Sequence, residues 1–451
     1  MLSYGLGDAG TGLAATQLGF YLFPFFTGQA GLPAVIAGSL LMIIKVWDAI
    51  NDPLIGWLSD RTTTRWGPRL PWMIGAAAPL GITLAAMWWV PPGDISQKTA
   101  YYILMAVLLM TAYTCVNLPF AALSTELTED TSVRTRLNAA RFTGSILAGL
   151  SGLIIAARLL SEGNASYVSM GRITGAIATL ATLVSCWGLA PFAKKARKPI
   201  GQKENFRLQI KRILKNDRFL KVICLYLLLW CGLQLMQTVS LIYLEEVMRV
   251  PTFLSKWIPI PFQLSALLGL QFWSLYSNKF GRISALYWGG GLWIIACILA
   301  GILPPLALNS TVSTLLSINN FEGLKMIALI IVILMVGFGA STAYLIPWSL
   351  LPDAIDADPE KPAGIYTAWM VLIQKLGIGI SVQLLGILLS VSGYRSTNNC
   401  KELLECLGQP DSAQITIRIC MGLIPAFLVG LGIFIMRRWN ENKNQLRTFN
   451  S

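Results

Sequence analysis

Apolar residues in this chain come in long blocks, without the alternation of a half-buried strand or the single stripe of a soluble helix. A predominantly apolar stretch of about 18 or more residues is long enough to cross a bilayer as a helix. Twelve stretches qualify: 4–26, 34–57, 70–90, 99–123, 136–160 and 171–192, then 219–247, 258–276, 283–304, 326–350, 364–390 and 413–436. Six lie on each side of "KKARKPIGQKENFRLQIKRILKNDRFLK" (194–221), which holds eleven Lys and Arg. The pattern predicts an all-α integral membrane protein with twelve transmembrane helices in two six-helix bundles. The bundles are expected over residues 1–192 and 219–436, with a basic cytoplasmic linker over 193–218 and a cytoplasmic tail over 437–451.

Composition agrees with a membrane protein. Of 451 residues, 55% are hydrophobic and only 13% charged, and the mean hydropathy is +0.60. A net charge of +13 would suit nucleic acid if it were spread over a surface. Here it gathers between apolar blocks, as in a cytoplasmic loop under the positive-inside rule. With both termini inside, the inner loops and tail hold most of the 35 Lys and Arg. Both ends are therefore expected in the cytoplasm, and no nucleic-acid partner is expected. The N-terminus lacks the basic region and small-residue cleavage site of a secretory signal.

There is no His and no Cys-x-x-Cys pair, so zinc and redox motifs find no support. Cys115, Cys186, Cys224, Cys231, Cys297 and Cys420 fall in apolar runs and read as small core residues. Cys400 and Cys406 share a polar loop and could pair in an oxidising compartment. The chain has no GxSxG elbow, P-loop or metal-ligand cluster, which argues against an enzyme and against ATP-driven transport.

The chemistry sits where polar residues interrupt the blocks. In "IIKVWDAINDPLIGW" (43–57), Asp48, Asn51 and Asp52 are spaced i, i+3 and i+4, on one helix face. Asp48 lies roughly 16 Å along the helix from the polar turn at Ser59, near the bilayer midplane. Ionisable residues at that depth cost roughly 2.5–3.5 kcal/mol each on insertion scales and usually line a cavity or ion path. Pro53 has no N–H, so the Ala49 carbonyl loses its helical partner. Carboxylate, amide and carbonyl oxygens together suit a hard monovalent cation or a proton, as on the interrupted helices of secondary transporters. The alternative is an ion pair from Asp48 or Asp52 to Lys45, Arg141 or Lys375. The two are compatible, since a pair broken by a cation is a switch.

Arg141 on the fifth helix and Lys375 on the eleventh could bind polar or anionic solute groups, or balance the helix-two acids. Arg141 could instead snorkel to the interface. On the fourth helix, "YTCVNLPFAALS" puts Thr114 and Asn117 one turn apart ahead of Pro119. Such residues also serve as interhelical glue. Tyr4, Tyr21, Tyr113, Tyr366 and Trp369 offer ring surfaces for a sugar, or belong to an interfacial aromatic belt. "GWLSDR" (56–61) and "SLYSNKFGR" (274–282) echo each other after the second and eighth helices, a weak sign of an internal repeat.

"KVWDAINDPLIGWLSDRTTTRWGPRLPW" (45–72) closely resembles the helix-two signature of the glycoside–pentoside–hexuronide:cation symporters, the melibiose-carrier branch of the major facilitator superfamily. The resemblance continues through "SYGLGD" (3–8), "NLPFAALSTELTED" (117–130), "RTRLNAARF" (134–142) and "GIYTAWMVLIQKLGIG" (364–379). It implies the twelve-helix, two-bundle fold of that superfamily, working by alternating access with sodium or protons as coupling ion and no other cofactor. It implies a cation site of Asp48, Asn51 and Asp52 with Thr114 and Asn117. The solute would be met by Arg141, Lys375, Thr11, Asn117, Tyr21 and Trp369. Thr11–Gly12 stands where the melibiose carriers have a Lys–Asp pair, Asn117 where they have an aspartate, and Ala121 where they have a tryptophan. The expected solute is a sugar, glycoside or related small molecule, carried by a monomer in a plasma or inner membrane. The vertebrate lysophospholipid symporters are similar in the same regions, so a lysolipid is an alternative, as is a sensor that binds without transport.

Overall fold

The computed structural model describes residues 2–127, 131–161, 167–193, 206–306, 320–359, 363–396 and 408–439. Cys400 and Cys406 lie outside them. Among the described residues every regular element is helical. The first half contains α1 (Ala9–Thr27), α2 (Ala34–Arg61), α3 (Leu70–Met87), α4 (Ile95–Leu127), α5 (Thr131–Ser161) and α6 (Tyr167–Ala193). A short helix, α7 (Phe206–Lys215), precedes α8 (Asp217–Ile242), α9 (Pro259–Phe280), α10 (Arg282–Ile302), α11 (Asn320–Ile355) and α12 (Ala363–Val391). The last apolar block is divided into α13 (Asp411–Met421) and α14 (Leu423–Ile435).

Among the described residues, eleven helical segments are long and apolar enough to cross a membrane. The 19-residue α1 is not among them, because Thr11, Thr16 and Gln17 dilute its apolar content. With α1 the helical blocks number twelve, as expected, and the protein is an integral, multi-pass membrane protein. The single block expected over 413–436 is interrupted at Gly422 (φ −111°, ψ −75°). Pro425 follows three residues later and removes an N–H that a continuous helix would direct at Met421.

By internal packing the chain forms two units. One comprises Met1–Lys203 with Ser396–Glu402, the other Glu204–Arg395 with Leu403–Ser451. In the first unit, α3 packs on α6 and α4, α1 on α5, and α2 on α4. Close approach demands small residues here. A Cβ on Gly81 would collide with the Gly175 carbonyl oxygen, and one on Gly175 with that of Gly81. The Thr179 hydroxyl donates to the Ala77 carbonyl across the same seam (3.1 Å). Without a water-driven hydrophobic effect between helices, van der Waals fit and such hydrogen bonds supply the association. In the second unit, α11 packs on α9 and α10, while α8 packs on α12 and α14. Gly281 (φ +93°) makes the sharp link between α9 and α10, a conformation that side chains with a Cβ avoid.

Large apolar residues are exposed all along the spanning helices, Trp187, Leu180, Leu268 and Phe434 among them. Their solvent is acyl chain, so exposure costs nothing there. This corrects the expectation for the cysteines. Cys115, Cys186, Cys297 and Cys420 are buried, but Cys224 is exposed; in a bilayer an apolar run does not imply a core position.

Candidate functional site

The first unit collects its polar side chains from four helices. Asp8 occupies the N-cap position of α1 yet makes no side-chain cap to that helix. Its Oδ1 accepts the Thr11 hydroxyl at 2.8 Å, and its Oδ2 accepts Arg141 Nε from α5 at 3.0 Å. Arg141 Nη2 donates to Asn117 Oδ1 on α4 (3.0 Å), and Asn117 Nδ2 donates to the Tyr113 hydroxyl one turn earlier (3.1 Å). An amide performs both tasks at that position; an ionised carboxylate could only accept. The Arg141 guanidinium also lies 5.7 Å from the ring centres of Phe120 and Phe142.

One turn from Asn117, the Thr114 hydroxyl lies 3.3 Å from Asp48 Oδ1 and 3.4 Å from Asp52 Oδ1. Asp48 and Asn51 are buried, and Asp52 is half-buried. Asn51 Nδ2 donates to the Met110 carbonyl of α4 (3.4 Å), and Trp47 Nε1 to the Thr111 hydroxyl (3.0 Å). These bonds fix the face of α2 that meets α4. Two carboxylates thus converge on one hydroxyl, which has a single proton to donate. Two negative charges gathered at one hydroxyl attract a cation. No group of three or more His, Cys, Asp or Glu that could hold a metal ion occurs among the described residues; a site here would draw its remaining oxygens from threonine and amides.

The structure therefore brings together Asp48, Asp52 and Thr114, and separately Thr11, Asn117 and Arg141 around Asp8. The groups meet on α4, through Thr114 and Asn117. Tyr21 is fully buried on α1, ten residues and roughly 15 Å along the helix from Thr11. Lys375 and Trp369 belong to α12 of the second unit, where Trp369 Nε1 donates to Gln209 on α7 (3.3 Å). Asp8, within "SYGLGD", is not marked out by sequence pattern alone. An acid within the first turns of an apolar block usually reaches water at the membrane surface, and only the approach of α5 gives this one a cation.

A second network closes one end of this unit. Arg69, ahead of α3, donates through Nε and Nη2 to Glu126 Oε1 of α4 (2.8 and 2.6 Å) and through Nη1 to Ser59 Oγ (2.5 Å). It also pairs with Asp60 (2.6 Å). Burial alone would lower the Arg69 pKa, but the bonds and charges of Glu126 and Asp60 outweigh it and hold the guanidinium above its ordinary value. Burial pushes the Glu126 carboxyl up, and Arg69 draws it only part of the way back.

The family model described as "MFS/sugar transport protein" matches residues 3–443. An uncharacterized symporter of Synechocystis is 30% identical, over 96% of this chain and 92% of that protein. The sodium-dependent lysophosphatidylcholine symporter 1 of Gallus gallus is 24% identical, over 99% of this chain and 88% of its own length. Among solved structures, a variant of the nucleoside transporter NupG superposes with a TM-score of 0.69, covering 97% of this chain and all of that one at 13% identity; it shows a shared fold. The chain is a transporter and not an enzyme, and it belongs to the MFS/sugar transport family, the glycoside–pentoside–hexuronide:cation symporter branch of the major facilitator superfamily.

Proposed function

We propose that the protein couples a sodium ion or a proton to the movement of a sugar, glycoside or related small solute by alternating access. The convergence of Asp48 and Asp52 on the Thr114 hydroxyl carries this reading. The coupling cation is held by these three with Asn51, next to the Ala49 carbonyl released by Pro53. The solute is met in the first unit by Arg141, Asn117 and Thr11. The remaining amide and guanidinium N–H groups of Asn117 and Arg141 suit a polyhydroxyl ligand, with Thr11 holding Asp8 beside Arg141. The nearby Phe120 and Phe142 rings suit its apolar faces. Within the second unit in its own right, Lys375 and Trp369 are solute-contacting residues, and both termini face the cytoplasm. Coupling follows from α4, because cation and solute groups sit one turn apart on it. A cation that orders Thr114 also orders Asn117 and hence Arg141, which favours solute binding; by linkage the solute favours the cation equally.

Uptake into proteoliposomes with and without an imposed sodium or proton gradient tests the coupling. Gradient-driven accumulation of a labelled sugar or glycoside is expected, and Asp52→Asn is expected to abolish the gradient response. An unchanged ion response in that variant would sink the site. A lysolipid solute is the second reading, motivated by the sodium-dependent lysophosphatidylcholine symporter that matches over nearly the whole chain. Accumulation of lysophosphatidylcholine with indifference to glycosides would decide for it.

A further inference from the structure

Away from the polar site, α3 and α4 of the first unit frame a groove of about 570 Å³, within the ~300–1,000 Å³ range of small-molecule sites. Its chemistry is unlike that of the cluster around Arg141. The three hydroxyls that line it are already engaged. Thr62 donates to the Leu58 carbonyl (2.9 Å) and accepts from Trp72 Nε1 (2.8 Å). Thr83 donates to the Pro79 carbonyl (2.7 Å). Thr111 donates to the Val107 carbonyl (2.7 Å) and accepts from Trp47 Nε1 (3.0 Å). The lining has no uncommitted hydroxyl proton to donate to a sugar, and an apolar ligand fits without stranding one of these donors. Gly75 adds room, since a Cβ there would touch nothing within 4 Å.

Length and charge point to the occupant. From Pro71 to Thr83 the groove follows α3 for roughly 18 Å, a little over half of the ~30 Å hydrocarbon core. That is the depth of one leaflet. At the Thr62 end, where α2 stops, stand exposed Arg61 and Arg65, stacked at 4.0 Å over Trp57 and 5.1 Å over Trp66. Stacking leaves the edge N–H groups of a guanidinium available to phosphate oxygens. We propose that this groove binds one acyl chain of an anionic phospholipid, with Arg61 and Arg65 receiving its phosphate. The site is distinct from the solute site and holds whichever solute is carried.

Bromine on an acyl chain quenches a tryptophan beside it, and Trp72 lines the groove. The full-length protein in detergent is titrated with phosphatidylglycerol brominated along its chains and with the matching phosphatidylcholine. The quenching that disappears in Trp72→Phe is assigned to the groove. Saturable quenching is expected, with phosphatidylglycerol preferred. Gly75→Leu or Leu108→Phe, each narrowing the groove, should weaken it about tenfold, a loss of roughly 1.4 kcal/mol. Arg61→Gln with Arg65→Gln should reduce phosphatidylglycerol to the level of phosphatidylcholine. Equal quenching in the wild-type protein and both narrowed variants, or no headgroup preference in the wild type, would overturn the proposal. The readout needs no transport, so its failure leaves the symport reading standing, and the reverse.

Discussion

The two units share a frame but differ in what they place inside it. Each has an arginine at the start of its third long helix, bound to an acid near the end of its fourth: Arg69 to Glu126 in the first, Arg282 to Asp353 (2.7 Å) in the second. Arg282 also donates to the Ser349 carbonyl (2.7 Å). Beyond that the units diverge. The first carries Asp8, Asp48, Asp52, Thr114, Asn117 and Arg141 within its helices. The second keeps its described ion pairs near helix ends, as in Glu245–Lys256, Arg212–Asp358 and Glu322–Lys325. Inside, it packs rings, including Tyr226, Trp230, Tyr344 and Trp348, with small hydroxyls such as Thr238, Ser341 and Thr342 buried among its helices. Frame and site are thus separable. The arginine–acid links brace helix ends in both halves, whereas among the described residues the clustered acids Asp8, Asp48 and Asp52 with Arg141 belong to the first half, which carries the chemistry proposed for it.

The largest expected effect comes from breaking the interior pair. Arg141→Gln leaves Asp8 without its cation and should destabilise the protein by about 3 kcal/mol or more, read as a lower melting temperature in detergent. Asp8→Asn added to it should recover part of that loss. An unchanged melting temperature in Arg141→Gln would mean that the polar interior contributes nothing to the fold. Next come the two braces. Glu126→Gln should cost about 2 kcal/mol and Asp353→Asn about 1 kcal/mol, because a carboxylate bond lost from a more deeply buried guanidinium is costlier, with Asp60 still beside Arg69. Side-chain exposure is 5% for Arg69 against 19% for Arg282. The reverse order in matched unfolding experiments would break the comparison. The smallest effect on stability, about 1 kcal/mol or less, is expected for Thr114→Val, which keeps the shape and removes the hydroxyl. Its signature is functional: the ion concentration for half-maximal uptake should rise several-fold while melting hardly moves.

Much of the fold was legible beforehand, because a bilayer makes burial a property of length and composition. Apolar blocks long enough to span became helices, with boundaries within a few residues of the blocks. The Asp48–Asn51–Asp52 face was legible for a similar reason. Helical spacing alone puts them on one side, and their depth makes charge conspicuous. Cys224 and the break at Gly422 were not legible. Outward in lipid is as apolar as inward, and an interruption inside an apolar block leaves no trace in its hydropathy.

By itself, then, the sequence determined the helical blocks, their number and the polar face of α2, all of which depend on local spacing and the cost of charge in hydrocarbon. Only the tertiary structure decided that Thr114 spans Asp48 and Asp52, that Asn117 turns its amide to Arg141 and Tyr113, and that Asp8 leaves the end of α1 to pair with Arg141. Those contacts join residues up to 133 positions apart. No periodicity along the chain encodes which helix faces meet; close packing at small residues and hydrogen-bond geometry across the seams do.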